Sequence, residues 1–186
     1  MISPEDVISV LSETGVRFML MGNYGITGWR LERRASEDVD VLVRTRDHRK
    51  AVQVIRQAFP ELQIKDTPVV TRFIEQATGI ALIDLMKPNQ PLFKGAFRQT
   101  VLVEEGYLIP NLEFALASKF AAMVSPNRAD EKKFLDAADF TSMVKKNQSS
   151  IHLRRLRRLG ELVYRGGGAE IEELVENIKA GRRIEF

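Results

Sequence analysis

Apolar positions in the first part of the chain alternate between strand-like and helix-like spacing, and after Leu112 only the helical spacing remains. Ser3-Pro4-Glu5-Asp6 reads as a helix start: a capping serine, a proline at the first position and an acid that reaches back to the serine. Val7, Ile8 and Leu11 share one helical face, and Gly15 stops the helix. Val16 to Met21 is a continuous apolar run of strand length that ends at Gly22. Tyr24 to Leu31 reads as a short helix and Val39 to Val43 as the next strand. A helix from Thr45 or Asp47 through Phe59 follows, ended by Pro60. Val69 to Gln76 and Ile80 to Met86 predict two strands joined at Thr78-Gly79. Pro88 and Pro91 break the pattern, and Thr100 to Glu104 and Tyr107 to Ile109 read as short strands around Gly106.

Helices are predicted over Glu113 to Val124, Ala129 to Lys145, Ile151 to Tyr164 and Glu170 to Lys179, with Gly166-Gly167-Gly168 as a flexible break before the last. No internal repeat or low-complexity tract is present. The element order is that of an α+β protein: a mixed sheet flanked by helices over residues 1–110, then a helical sub-domain over residues 111–186.

The 186 residues suffice for one full-sized core, and the 44% apolar and 28% charged shares are those of an ordinary globular chain. No stretch approaches the ~20 apolar residues that span a bilayer. The N-terminal residues lack the basic and apolar regions of a signal peptide, so the expectation is a cytoplasmic protein without a membrane partner. The absence of cysteine removes disulfides, thiolate metal sites and cysteine nucleophiles, and two histidines make a zinc site a poor expectation. A net charge of +3 decides nothing about nucleic acid.

The candidate chemistry lies in carboxylates. Asp38 and Asp40 stand two apart in Ser36-Glu37-Asp38-Val39-Asp40-Val41-Leu42-Val43, so they point to one side of a strand. Like charges so close repel, and a divalent cation is the commonest remedy. Mg²⁺ takes one or two carboxylates together with substrate phosphates. Asp84, alone in the apolar run Ile80 to Met86, is costly to bury unless it pairs, binds metal or sits at a strand edge. Gly22-Asn23 closes the first strand with a turn that lets phosphates approach the backbone.

Taken in order, the strand, Gly22-Asn23, the short helix, Asp38-Val39-Asp40 and the later Asp84 resemble the nucleotidyltransferase superfamily, built on the fold shared with polymerase beta. Arg34-Ala35-Ser36-Glu37-Asp38-Val39-Asp40 is similar to the Arg-x-Thr-x-Asp-Ile-Asp of the AbiEii toxin-like branch. Ile109-Pro110-Asn111-Leu112-Glu113 running into Lys119, with Arg128, Lys132, Asp136 and Asp139, adds to that likeness. It covers roughly residues 16–145. The resemblance implies Asp38, Asp40 and Asp84 as catalytic, metal-holding acids around two Mg²⁺ ions. It also implies a nucleoside triphosphate (NTP) held by Gly22, Asn23, Arg34, Ser36 and Lys119. Where the family carries a second glycine or a serine, this chain has Asn23, whose amide can donate to phosphate and whose bulk can obstruct it.

Several readings stay open at this level. Lys119 is a snorkelling core lysine or a phosphate contact. Asp136 and Asp139 anchor helices, through Lys132 or Lys133, or position Lys119. Arg34 is a structural ion pair, a brace for the acids or a phosphate contact. Leu153-Arg154-Arg155-Leu156-Arg157-Arg158-Leu159 is an amphipathic helix whose basic face is solvated or touches RNA. Tyr24 and Trp29 are core residues or base-stacking ones. The acceptor is a tRNA or other RNA, a protein hydroxyl or a small molecule, and an antitoxin is a candidate partner. The rival readings are a non-catalytic nucleotide- or RNA-binding member of the fold and an interaction partner whose acids are merely structural.

Overall fold

The computed structural model describes residues 2–182. It divides into two units: Met1–Ile26 with Arg34–Pro110, and Thr27–Arg33 with Asn111–Phe186. The segment Thr27–Arg33 therefore leaves the first unit and returns, a detour that hydrophobic spacing alone does not announce.

In the first unit, α1 (Pro4–Glu13) begins as its sequence dictates. The Ser3 hydroxyl accepts from the Asp6 amide at 3.2 Å, and the Ser3 amide donates to the Asp6 carboxylate at 2.8 Å. This exchange satisfies two helix-end amides and holds the Asp6 carboxyl below its usual range. The elements that follow are β1 (Phe18–Leu20), α2 (Gly22–Gly25), β2 (Val39–Val43), α3 (His48–Ala58), β3 (Leu62–Asp66), β4 (Val70–Glu75), β5 (Ala81–Met86), α4 (Pro91–Lys94), β6 (Thr100–Leu102) and β7 (Leu108–Pro110). The strands form one mixed sheet in the order β3-β4-β5-β2-β1-β7-β6. β2 runs parallel to β5 and antiparallel to β1, while β7 runs parallel to β1.

Period-two alternation sorts the sheet's faces. Phe18, Leu20, Val39, Val41, Val43, Phe73, Ile83 and Leu85 point one way and pack with Val7 and Leu11 of α1 and Ala51 and Ile55 of α3. The intervening positions, Asp40 and Asp84 among them, turn to the other face.

Three local expectations change. β3 gives no hydrophobic signal because only Leu62 is buried along it, and five paired positions with β4 make it a strand. Pro91 starts α4 rather than breaking structure, since a first-turn proline has no amide to lose. The expected helix from Tyr24 to Leu31 splits into α2 and a separate 3-10 turn, Thr27–Trp29, which belongs to the second unit.

The second unit contains α5 (Leu112–Met123), α6 (Asp130–Lys146), α7 (Leu153–Glu161) and α8 (Gly167–Lys179). Asn111 caps α5 by accepting from the Phe114 amide at 3.0 Å. α7 buries Leu156, Leu159 and Gly160 and exposes Arg154, Arg155, Arg157 and Arg158. The glycine run is not a loose break. Gly166 takes φ +95° to cap α8, and Gly167 and Gly168 form its first turn against α7. A Cβ on Gly167 would lie 2.6 Å from the Gly160 carbonyl oxygen, and one on Gly168 would lie 2.6 Å from that of Arg157. Residues 27–33 are held by α6 and its end. Lys146 donates to the Gly28 and Arg30 carbonyls at 2.8 Å each, and Asn147 to the Trp29 carbonyl at 2.7 Å. The Leu31 amide donates to the Ser142 hydroxyl at 3.0 Å.

Candidate active site

Seven of the eight residues singled out in the sequence, all but Lys119, lie in the first unit, and strand register brings Asp40 and Asp84 side by side. β2 and β5 pair in parallel with Asp40 opposite Asp84, so both carboxylates occupy one face of neighbouring strands, about 4.8 Å apart in the sheet. Asp38 lies two residues before Asp40, in the bend that leads into β2. Arg72 of β4 is in register with Asp84, and its Nε stands 3.4 Å from Asp84 Oδ2. Sequence reading missed Arg72; a cation in an amphipathic strand gives no signal until its register is known.

Gly22 connects the turn to the acids. The Met21 amide donates to the Asp40 carbonyl at 2.8 Å, extending the β1–β2 ladder to the turn. Gly22 then takes φ +55°, and a Cβ there would fall 1.8 Å from Asp40 Oδ2. Only a residue without a side chain fits, for conformational and steric reasons together. Gly25 serves the same compactness: its Cβ would lie 2.2 Å from the Leu20 carbonyl oxygen.

The loop entering β2 is fastened to α2. The buried Asn23 donates through Nδ2 to the Arg34 carbonyl at 2.8 Å, and Tyr24 Oη donates to the Ser36 carbonyl at 2.9 Å. Ser36 Oγ donates to Asp38 Oδ1 at 2.6 Å. Asn23 and the Arg34 carbonyl thus act as a staple between turn and loop, and Tyr24 is a second one. Ser36 orients an acid.

Lys119 is placed in the second unit. It is buried on α5 and bonded to Asp136 and Asp139 of α6 at 2.8 Å each. Asp136 also receives Arg128, and Asp139 receives Arg30, both at 2.5 Å. The two aspartates therefore anchor Lys119 together with Arg128 and Arg30, whereas the neighbouring Lys133 pairs with Asp130 at 3.3 Å. Arg30 was not foreseen. Its partner lies 109 residues further on, and local spacing cannot reveal that.

Among the described residues, no three Asp, Glu, His or Cys side chains stand close enough to form a metal cage by themselves. Asp38 is turned toward Ser36 and Asp84 toward Arg72. The donor set fits a hard divalent cation held by a carboxylate pair that completes its shell with phosphate oxygens. It does not fit a protein-only site. The Gly22–Asp40 contact leaves no side chain between the turn and that pair.

No family model matches the sequence, and no curated protein does. Solved structures do share its fold. The chain is similar to the antibiotic-resistance factor ANT(2'')-Ia, at 13% identity and a TM-score of 0.57, over 96% of this chain and 95% of that one. The same factor has been solved in complex with adenylyl-2''-tobramycin. It is similar to JHP933 from Helicobacter pylori, at 15% identity and a TM-score of 0.55, over 95% and 89% of the two chains. An antigenic nucleotidyltransferase-like protein from Paracoccidioides brasiliensis matches at 16% identity and a TM-score of 0.50, over 92% and 90%. The fold is α+β and nucleotidyltransferase-like, with a seven-stranded mixed sheet. No helix among the described residues is long and apolar enough to cross a membrane.

Proposed function

We propose that the chain is a nucleotidyltransferase that moves a nucleoside monophosphate from an NTP to an acceptor hydroxyl. The observation that carries this reading is the Gly22 turn seated directly on Asp40, with Asp84 in register on the next strand. That arrangement puts a half-buried glycine backbone, of the kind through which a triphosphate is approached, against paired carboxylates. A divalent cation, Mg²⁺ in this reading and two ions at full occupancy, would be held by Asp38, Asp40 and Asp84 and would neutralise the triphosphate.

The chain's own groups do the rest by positioning. Ser36 fixes the rotamer of Asp38, and Arg72 holds Asp84 beside Asp40. The Asp84 carboxylate takes the proton of the acceptor hydroxyl as its oxygen bonds the α-phosphorus, and the bond to the departing pyrophosphate breaks. Such a displacement depends on alignment and charge compensation more than on covalent help. The AbiEii-like assignment, an antitoxin partner and a place in toxin–antitoxin or abortive-infection systems rest on the Arg34 to Asp40 motif. The acceptor class is an RNA, a protein or a small molecule; one structural neighbour has been solved with an adenylylated small molecule.

A second reading, a nucleotide- or RNA-binding member without turnover, is favoured by Asn23. Its amide nitrogen is engaged by the Arg34 carbonyl within the protein. Incubation with labelled NTPs, Mg²⁺ and total RNA separates the two. Wild type labels an acceptor, and an Asp38→Ala, Asp40→Ala double variant does not. Equal labelling by both removes the acids from the mechanism, and NTP binding without any labelling supports the second reading.

A further inference from the structure

At the far end of the β1–β2 ribbon from the acids, two arginines face each other. Phe18 pairs with Val43, so Arg17 and Arg44 are the next cross-strand neighbours. Their guanidinium carbons lie over one ring, 5.9 and 5.4 Å from the Phe97 centroid. Among the described residues neither forms an ion pair with a carboxylate, while Arg46 has only Asp47, at 3.8 Å. Like charges opposite each other in a ribbon work against folding. Burial and the charges of Arg17 and Arg46 also hold the Arg44 pKa below its ordinary value. Phe97 fixes two cations in place without neutralising either one.

Two of the four arginines of α7, Arg155 and Arg157, are less conspicuous by this measure. Arg155 is 3.5 Å from Glu113 and Arg157 is 2.9 Å from Glu172, and the helix's buried leucines account for its pattern.

We propose that Arg17, Arg44 and Arg46 bind the phosphate backbone of an RNA acceptor. The inference rests on the transferase reading and names its acceptor class. Arg44 lies four residues along the strand direction from Asp40, about 13 Å. A polynucleotide ending at the acids is long enough to reach it. Guanidinium planes match phosphate oxygens two at a time, which suits arginine over lysine here. A polycationic small molecule would be repelled by the same cluster.

The test is fluorescence anisotropy of a labelled single-stranded oligoribonucleotide across a salt series, with wild type, an Arg17→Gln, Arg44→Gln double variant and an Arg154→Gln, Arg158→Gln control. Two lost phosphate contacts lower the slope of log affinity against log salt by about 1.4 and weaken binding roughly tenfold at moderate salt. The α7 control keeps the wild-type slope. Urea denaturation confirms that the double variant folds, as removal of opposed charges predicts. Poly-glutamate, titrated in the same way, is the acidic comparison. Three results overturn the proposal: no RNA binding by wild type, an unchanged slope in the double variant, or a loss of poly-glutamate binding in the double variant equal to its loss of RNA binding. Titration of Mg²⁺ and NTP is a separate arm. Its failure sinks the transferase reading, whereas normal NTP binding with an unchanged RNA slope sinks only this site.

Discussion

At the scale of single residues, the site depends on what Gly22 lacks. Any Cβ there would overlap the Asp40 carboxylate, and the φ of +55° is itself unfavourable for other residues. Gly22→Ala should therefore cost about 1–3 kcal/mol of stability from backbone strain alone. It should also displace Asp40 and lower transfer by at least the roughly 100-fold that misplacing a reacting group can cost. Urea denaturation and NTP turnover, measured on the same preparation, check the two effects together. Normal turnover with alanine at this position would show that Asp40 need not stay where it is. Asn23 carries a different lesson. Read alone it is a substitution in a phosphate turn, but in three dimensions its amide fastens the loop that leads to Asp38.

At the scale of elements, the edge formed by β3 and β4 carries a polar cluster that local patterning does not disclose. Thr71 is buried between His48 and Asp66, donating to Asp66 and lying 3.1 Å from His48 Nε2, while Lys87 reaches Asp66 at 2.7 Å. Burial, then the charge of Lys87, hold the His48 pKa below 6.5. Just below that pH the unfolded chain binds a proton that the folded chain resists, so stability falls as pH drops through this window. His48→Gln keeps a polar partner for Thr71 and removes the titration. Its urea midpoint should change less than wild type between about pH 7 and pH 5; parallel curves would contradict this. Asp66 moves the other way in charge but the same way in stability. Its bonds to Lys87 and Thr71 lower its pKa below 3.8, so its contribution is lost only at lower pH.

The same contrast explains what the sequence could and could not reveal. α1, β2 and β5 were legible because capping residues and apolar runs are local signals. β3 was not, because pairing rather than burial defines it. The acids were legible as types, but their alignment waited on the register of β2 with β5. Arg72 and Arg30 were invisible because their partners are distant in the chain.

At the scale of the whole molecule, neither unit is a single uninterrupted stretch, since Thr27–Arg33 belongs with the helices that begin at Asn111. The helical unit buries two cations, Arg30 and Lys119, around Asp136 and Asp139, and the exposed Arg128 also pairs with Asp136. Removing one carboxylate there leaves charge without compensation. Asp139→Asn should cost about 3–5 kcal/mol, read as a lower urea midpoint. Replacing Lys119 by methionine in the same chain should recover part of that loss, because the second change removes the charge left behind. A neutral result for Asp139→Asn would mean that the network is solvated rather than buried.

Thr27–Arg33 also sets an order of events during synthesis. The ribosome releases this segment long before the residues that receive it, for Arg30 and Asp139 are 109 positions apart. At typical elongation rates the wait is roughly 5 to 20 s. During that interval the link between the glycine turn and the Asp38–Asp40 strand has no helix to hold it. A nascent chain arrested before α6 would own every candidate acid and still lack the anchorage of the loop that joins them to Gly22, so that loop gains its fastening only late in translation.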